Sequence, residues 1–146
     1  MTVIFTSTVL STPIDQVWAR IRDFNALPEW NPNVARSEIE DGLPSNAVGC
    51  VRSFYLQDGG HLRERLLSLS DEEFCFSYSI LDSPMPVEGY VATVRLLPIS
   101  DGDRTYAEWS AEFECPTEAE EELVEGIGKG VFLASFHALE GQLSSS

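Results

Sequence analysis

Hydrophobic and polar residues alternate through the middle of the chain, and this period of two predicts β-strands. In the clearest run, residues 105–114, Ala107, Trp109, Ala111 and Phe113 fall on one face, while glutamates and serines dominate the other. Because successive side chains of a strand point to opposite faces, the run predicts a strand with one buried face and one solvated face. The same pattern predicts inward positions on two earlier strands: Phe74, Phe76, Tyr78, Ile80, Tyr90, Ala92, Val94 and Leu96.

Turn-forming residues divide the chain into a simple order of elements. Strands are predicted at residues 2–10, 34–40, 48–57, 61–69, 74–81, 90–97 and 105–114. Two short helices are predicted after the first strand. One carries apolar residues at helical spacing from Ile14 to Ile21, and the other covers residues 24–30. A single long helix is predicted from about residue 117 to residue 142.

This order predicts an α+β fold in which a curved, seven-stranded antiparallel sheet wraps around the long C-terminal helix, with two short helices after strand 1. An antiparallel sheet commonly buries one face, and the long helix is the element large enough to cover it. A sheet that wraps around a single helix is expected to leave a gap between the two. We interpret this gap as a pocket for a small apolar molecule. We expect one domain over residues 1–143 and a tail at residues 144–146.

The long helix presents a broad apolar stripe toward the predicted sheet. Its members are Val124, Ile127, Val131, Ser135, Ala138 and Leu139, with Phe132 and Phe136 on its flank. Gly126, Gly128 and Gly130 interrupt the helix, and each costs about 1 kcal/mol relative to alanine. They permit either close contact with a strand or room above a ligand. We favour close packing, because a conspicuous helical glycine usually has a packing reason.

The net charge of the chain limits the classes of molecule that are expected as partners. The 146 residues include 24 acidic and 9 basic side chains, which give a net charge of −15. A surface this negative repels nucleic acid and anionic membrane surfaces, so nucleic acid is not expected as a partner. From the sequence we expect no signal peptide and no stable membrane insertion, and we therefore predict a cytoplasmic protein. Cys50, Cys75 and Cys115 lack metal-ligand spacing, and neither a metal nor a cofactor is expected.

Several segments, taken in order, resemble one superfamily. They are Val17-Trp18, Asp23-Phe24, residues 30–34, residues 48–52, Glu64-Arg65-Leu66, residues 84–90 and Glu108-Trp109-Ser110. Their order and spacing resemble the helix-grip superfamily, which includes START lipid-transfer domains, birch-pollen allergens, polyketide cyclases and plant abscisic-acid receptors. The resemblance is closest to the bacterial polyketide cyclase/dehydrase group, and it covers nearly the whole chain.

The resemblance implies a deep cavity between the sheet and the last helix, entered past the loops that join the strands. By position, Glu64 and Tyr90 look like ligand-contacting residues of the plant hormone receptors. The residues that look like cavity wall are Phe54, Leu56, Ile127, Val131 and Ser135. The receptors have a lysine where this chain has Asn31, and their loop is longer than residues 58–60. The resemblance therefore does not extend to a hormone-receptor role.

Glu64 is the candidate catalytic residue. If residues 58–60 form a three-residue loop, Phe54 pairs with Glu64 and Arg52 pairs with Leu66, so Arg52 lies diagonally next to Glu64. A carboxylate among apolar side chains has a raised pKa when it is unpaired, and it stays ionised when an arginine pairs with it. Glu64 therefore holds a ligand hydroxyl, acts as a general base, or forms a structural ion pair with Arg52.

The predicted ligand-binding set combines an apolar wall with a few polar groups, as is typical of small-molecule sites. Its members are Arg52, Phe54, Leu56, Glu64, Leu66, Phe76, Tyr78, Tyr90, Trp109, Ile127, Val131 and Ser135. The favoured function is binding, with transport as one use, of a hydrophobic or aromatic small molecule. The first alternative is a cofactor-independent cyclase, dehydratase or isomerase with Glu64 as general base. The second is a protein-interaction module with a filled core, and pairing into a homodimer stays open.

Overall fold

The computed structural model describes residues 1–144 and confirms the predicted order of elements. The strands are β1 Thr2–Leu10, β2 Val34–Ile39, β3 Val51–Leu56, β4 His61–Ser70, β5 Cys75–Asp82, β6 Glu88–Ile99 and β7 Arg104–Glu114. The helices are α1 Ile14–Ile21, α2 Leu27–Trp30, α3 Thr117–Ile127 and α4 Ala134–Ser144, with 3₁₀ turns at Phe24–Ala26 and Glu40–Gly42. Ser144, predicted in the tail, ends α4, and the other tail residues, 145–146, lie outside the described residues.

All seven strands form one antiparallel sheet in the order β1-β7-β6-β5-β4-β3-β2. Strands β2 to β7 follow one another as neighbours, whereas β1 lies beside β7, with Thr2 opposite Phe113 and Leu10 opposite Thr105. The inward positions predicted on β6 and β7 are buried: Tyr90, Ala92, Val94, Leu96, Ala107, Trp109, Ala111 and Phe113. The predicted helix-grip architecture, a curved sheet around a long C-terminal helix, is therefore confirmed.

The hairpin between β3 and β4 differs from the prediction by two residues. Arg52 lies directly opposite Glu64, rather than opposite Leu66 as predicted. The cause is a longer turn, which closes with a hydrogen bond from the Leu56 N–H to the Gly60 carbonyl at 2.7 Å. A shift of two residues preserves the face to which each side chain points. Arg52 and Glu64 therefore still face the interior, but as a direct cross-strand pair.

The long C-terminal helix is continuous but not uniform, because a π-helical segment at Gly128–Leu133 joins α3 to α4. Hydrogen bonds in a π-helix span five residues, so the residues that follow depart from a 3.6-residue pattern. Phe132 and Phe136, predicted on the flank of the apolar stripe, are for this reason fully buried. Phe132 stacks on Trp109 with 4.2 Å between ring centres. No helix within residues 1–144 is long and apolar enough to cross a membrane.

Close packing explains one of the three helical glycines. The Thr6 hydroxyl donates to the Gly128 carbonyl at 3.2 Å, and a Cβ atom at Gly128 would lie 3.4 Å from Ile4 Cγ2. The helix therefore approaches β1 closely at this residue. At Gly126 and Gly130 a Cβ atom would meet no atom within 4 Å, so close packing does not account for them.

One end of the interior, which we call the closed end, is packed with aromatic rings. The ring centre of Phe76 lies 6.3 Å from those of both Trp18 and Phe24. Trp18 Nε1 donates to Asp71 Oδ1 at 2.8 Å, and this bond ties α1 to the turn between β4 and β5. Phe74, predicted to face inward on β5, precedes that strand, is half-buried and meets Trp18 edge-on. Side chains of the protein itself fill this end.

Candidate functional site

The other end of the interior, which we call the open end, contains a cavity of about 340 Å³. Its walls come from the inner face of the sheet, from α2 and the residues that follow it, and from the stretch that runs from α3 into the π segment. Two loops border it, with Gln57 and Asp58 on one and Pro84 and Met85 on the other. Small-molecule sites commonly measure about 300–1,000 Å³, so this volume is near the lower limit of that range.

Most of the predicted ligand-binding residues line the cavity. They are Arg52, Phe54, Leu56, Glu64, Tyr78, Tyr90, Trp109, Ile127 and Val131. The strand residues among them meet because alternate positions of neighbouring strands point to the same face of the sheet. Arg52 and Phe54 lie on β3, Glu64 on β4 and Tyr78 on β5, so adjacent strands bring the polar groups together.

Leu66, Phe76 and Ser135 are not among the described residues that line the cavity, although they were predicted with the others. Leu66 and Phe76 lie further toward the closed end, where the rings of Trp18 and Phe24 cover Phe76. Ser135 lies on α4 beyond the π segment and is fully buried, and its hydroxyl has no hydrogen-bond partner within residues 1–144. An inward direction is therefore not enough to place a residue at the open end.

Several residues that line the cavity were not predicted as site residues. They are Leu27, Asn31, Asn33, Gln57, Asp58, Leu62, Ile80, Pro84, Met85 and Phe132. Leu62 and Ile80 follow the same alternation as the predicted wall, so the signal for them was present. The residues from loops carried no such signal, because the position of a loop depends on how the distant elements close over it. Phe132 was displaced from its predicted position by the π segment.

Arg52 and Glu64 form a buried ion pair at the polar end of the cavity, and they are only 2% and 5% exposed. Arg52 Nε donates to Glu64 Oε1 at 2.9 Å, and one terminal nitrogen of Arg52 approaches the same oxygen at 2.7 Å. The other terminal nitrogen donates to the Phe24 carbonyl at 3.1 Å. The Arg52 guanidinium also lies over the Phe24 ring, 3.8 Å from its centre, so it is held from several sides.

The two oxygens of Glu64 have different environments. Both contacts from Arg52 reach Oε1, and within residues 1–144 we find no hydrogen bond to Oε2. Oε2 is also not among the fully enclosed polar atoms without a partner, and Glu64 lines the cavity. Oε2 is therefore available to a donor that enters the cavity. Burial raises the pKa of the Glu64 carboxyl, while the charge and the hydrogen bonds of Arg52 act in the opposite direction.

Three aromatic side chains extend the polar end of the cavity. Trp109 Nε1 donates to the Tyr78 hydroxyl at 3.1 Å, and Tyr78 in turn interacts with the Tyr90 hydroxyl. Burial is the main cause that raises the pKa of both tyrosines, and the nearby Glu64 carboxylate raises it further. Both hydroxyls therefore stay protonated at neutral pH. They can donate to a ligand oxygen or accept from a ligand hydroxyl.

Asn31 brings a neutral donor to the wall of the cavity. Its Oδ1 accepts a hydrogen bond from the Asn33 backbone N–H at 3.0 Å. Its Nδ2 has no hydrogen-bond partner within residues 1–144. Asn33 Nδ2 in turn donates to the Gly130 carbonyl at 2.9 Å, so the segment after α2 is tied to the π segment.

The described residues offer little for metal chemistry. No group of three or more histidine, cysteine, aspartate or glutamate side chains within residues 1–144 is arranged to hold a metal ion. His61 contacts Ser53 Oγ at 2.7 Å and stacks on Tyr55, away from the cavity lining. The polar groups that line the cavity offer hydrogen bonding, and the carboxylates of Glu64 and Asp58 offer sites for proton transfer.

Comparisons with known proteins agree with this architecture. A family model described as polyketide cyclase/dehydrase and lipid transport matches residues 1–143. The chain is similar to the solved structure of the protein XoxI from Bacillus cereus, with 30% identity over 97% of this chain and 95% of that chain and a TM-score of 0.84. An uncharacterised protein from Bacillus thuringiensis is 31% identical over 94% and 98% of the two chains, with a TM-score of 0.81. A protein from Thermobifida fusca is 28% identical over 99% and 95%, with a TM-score of 0.89. The resemblance noted in the sequence is thus confirmed, and the chain belongs to the polyketide cyclase/dehydrase and lipid transport family.

Proposed function

We propose that this protein reversibly binds a hydrophobic or aromatic small molecule in the cavity at the open end. The observation that carries the proposal is the volume of about 340 Å³ that the protein's own side chains leave unfilled. Apolar side chains such as Phe54, Leu62 and Ile127 form much of its wall, and a few polar groups converge at one end. That combination is typical of small-molecule sites. The family description, which includes lipid transport, also supports an apolar ligand.

Burial of apolar ligand surface would supply most of the affinity. Each square ångström of apolar surface removed from water contributes about 25 cal/mol, before the costs of ordering are subtracted. The polar groups Glu64, Tyr78 and Tyr90 would set the orientation of the ligand and add less to its affinity. Transport is one use of such binding, since a protein that encloses an apolar molecule carries it through water.

A matched pair of substitutions on one helix tests this proposal. Val131 lines the cavity, whereas Val124 is half-buried on the same helix and does not line it. Native mass spectrometry of the protein purified from its own cell should show a bound small molecule. Val131→Phe should remove that molecule by filling the volume, and Val124→Phe should retain it. Equal occupancy in the two variants, or a wild-type protein with no bound mass, would argue against the proposal.

An enzyme is the second candidate, and the state of Glu64 favours it. Its Oε2 is open to the cavity and burial raises the pKa of its carboxyl, as a general base requires. Tyr78 and Tyr90 could then stabilise an enolate oxygen in a cyclase, dehydratase or isomerase reaction. The ion pair with Arg52 lowers the basicity of Glu64, and this favours binding over base catalysis. Glu64→Gln should spare the binding of a neutral ligand and abolish any turnover.

The third possibility, a protein-interaction module, requires an interior filled by the protein's own side chains. The unfilled volume at the open end gives it no support.

A further inference from the structure

We infer that the bound molecule is electrically neutral, that it carries a hydroxyl group which donates to Glu64 Oε2, and that the site rejects carboxylates. This inference rests on the proposed binding function and specifies which chemical class of ligand the same cavity selects. Three features of the site support it: the charges that face the cavity, the free oxygen of Glu64 and the donors of Arg52.

The charges around the cavity are unfavourable for an anion. The charged side chains that line it are one cation, Arg52, and two anions, Glu64 and Asp58. Arg52 is already neutralised by Glu64, because two of its nitrogens lie 2.7 and 2.9 Å from Oε1. A ligand carboxylate beside this pair would meet no uncompensated positive charge, and a buried ion without such a partner is costly.

Arg52 has little freedom to exchange its partner for a ligand. Its remaining terminal nitrogen donates to the Phe24 carbonyl at 3.1 Å, and its guanidinium carbon lies 3.8 Å from the ring centre of Phe24 and 4.9 Å from that of Tyr78. To bind a ligand carboxylate, Arg52 would have to leave Glu64 ionised and unpaired in the protein interior. An uncompensated buried carboxylate is among the most destabilising arrangements.

The free positions in the cavity instead match a neutral ligand. Glu64 Oε2 is an acceptor without a protein donor, so a ligand hydroxyl would supply the missing hydrogen. A hydrogen bond to a charged acceptor is stronger than one between neutral groups. Asn31 Nδ2 is a free neutral donor on another wall, and it suits a carbonyl or ether oxygen of the same molecule.

Three two-ring compounds of nearly equal shape test the inference by calorimetry on the full chain. They are 2-naphthol, which carries a hydroxyl, 2-naphthoate, which carries a carboxylate, and 2-methylnaphthalene, which carries neither. At neutral pH the wild type should bind 2-naphthol at least about tenfold more tightly than 2-naphthoate. In Glu64→Gln, Arg52 loses its counter-charge. The affinity for 2-naphthoate should then rise at least about tenfold, while that for 2-naphthol should fall by less than about tenfold because the amide oxygen still accepts.

Equal binding of 2-naphthol and 2-naphthoate to the wild type would overturn the inference, as would an unchanged ratio of the two affinities in Glu64→Gln. If none of the three compounds binds the wild type saturably, the proposed binding function fails as well. If 2-naphthoate alone binds, only the selectivity fails.

A second variant keeps the test decisive if Glu64→Gln does not fold. The double variant Arg52→Met/Glu64→Met replaces the ion pair with apolar side chains of similar volume, a change that proteins often tolerate. The wild type should prefer 2-naphthol to 2-methylnaphthalene, because only 2-naphthol donates a hydrogen bond to Glu64. The double variant should bind 2-methylnaphthalene at least as tightly as the wild type does and should lose part of this preference. If the double variant prefers 2-naphthol over 2-methylnaphthalene as strongly as the wild type does, Glu64 does not bind the hydroxyl.

Discussion

The closed end and the open end of the interior are lined by similar aromatic and aliphatic side chains, yet only one of them is filled. At the closed end the ring centre of Phe76 lies 6.3 Å from those of Trp18 and Phe24, and Trp18 belongs to α1. At the open end Leu56 and Ile80 remain half-buried around a volume of about 340 Å³. The difference lies in what covers the sheet, not in the sheet itself.

The covering elements are fastened in different ways. At the closed end, Asp71 accepts a hydrogen bond from Trp18 and pairs with Arg22 at 2.7 Å, so α1 is anchored to the β4–β5 turn. At the open end two loops complete the cover beside the C-terminal helix, and a Cβ atom at Gly60 would lie 3.5 Å from Pro84 Cγ of the facing loop. A helix fills the space beneath it with a regular row of side chains, whereas these loops leave a hollow. Stability should therefore concentrate at the closed end and ligand selection at the open end.

One pair of residues at the open end should nevertheless affect stability more than any other substitution discussed below. It is the buried ion pair of Arg52 and Glu64. Arg52→Met leaves Glu64 buried without a counter-charge and should lower the free energy of unfolding by about 3–5 kcal/mol near neutral pH. Without Arg52, burial keeps the folded-state pKa of Glu64 above its unfolded value. The folded state then binds more protons, so stability is greatest at low pH and is lost as pH rises through the folded-state pKa.

Denaturant unfolding of Arg52→Met at acidic and at neutral pH measures this effect. Arg65→Met is the matched control, because Arg65 lies on β4 and is exposed, and its substitution should change stability by about 0.5 kcal/mol or less. A penalty for Arg52→Met that grows as the pH falls would contradict the account of the pair.

Substitution of two leucines on β4 allows the two ends to be compared directly. Leu66 is fully buried away from the cavity, whereas Leu62 lines it. Leu66→Ala should cost about 2–5 kcal/mol, because it removes packed contacts and creates a new void. Leu62→Ala should cost clearly less, because one side of Leu62 already faces unfilled space. Thermal and urea unfolding of the two variants give both values, and a larger loss for Leu62→Ala would mean that the open end is packed after all.

A smaller effect is expected from the tyrosine hydroxyls. Tyr78→Phe removes the acceptor of the buried Trp109 N–H, and an unsatisfied buried donor costs about 1–3 kcal/mol. Tyr90→Phe removes a hydroxyl that does not serve Trp109, so it should cost less. Urea unfolding would order the two variants, and a shift in the fluorescence of Trp109 should accompany only Tyr78→Phe. The reverse order would show that Tyr90 is the main partner.

Regular parts of the fold were predictable because one physical pattern governs them. The alternation from Ala107 to Phe113 depends only on the two-residue period of a strand, and the structure buries every inward residue of that run. The turn before β4 was less determined, since residues 58–60 fit loops of different length. The choice between them changed the partner of Arg52 but not its face. The π segment was not visible at all, because helical periodicity assumes a uniform repeat, and Phe132 was misplaced for that reason.

The site was predictable to the extent that it lies on strands. Glu64, Tyr78 and Tyr90 line the cavity because their strands are neighbours and their side chains share a face. Leu66 has the same direction and still lies outside the cavity, because the sequence pattern does not reveal where the covering elements stop. Asn31 lines the wall through a loop whose position depends on contacts with Gly130, far along the chain.

The open end should admit a guest molecule that the closed end excludes. Methyl NMR of isotopically labelled protein, titrated with 2-naphthol, tests it directly. We predict saturable shifts of the methyl signals of Leu62, Ile80 and Val131 that fit a single dissociation constant, with little change at Leu66 and Leu139. Shifts confined to the exposed Val3 and Val9 on the outer surface, or no saturable shift at all, would contradict it.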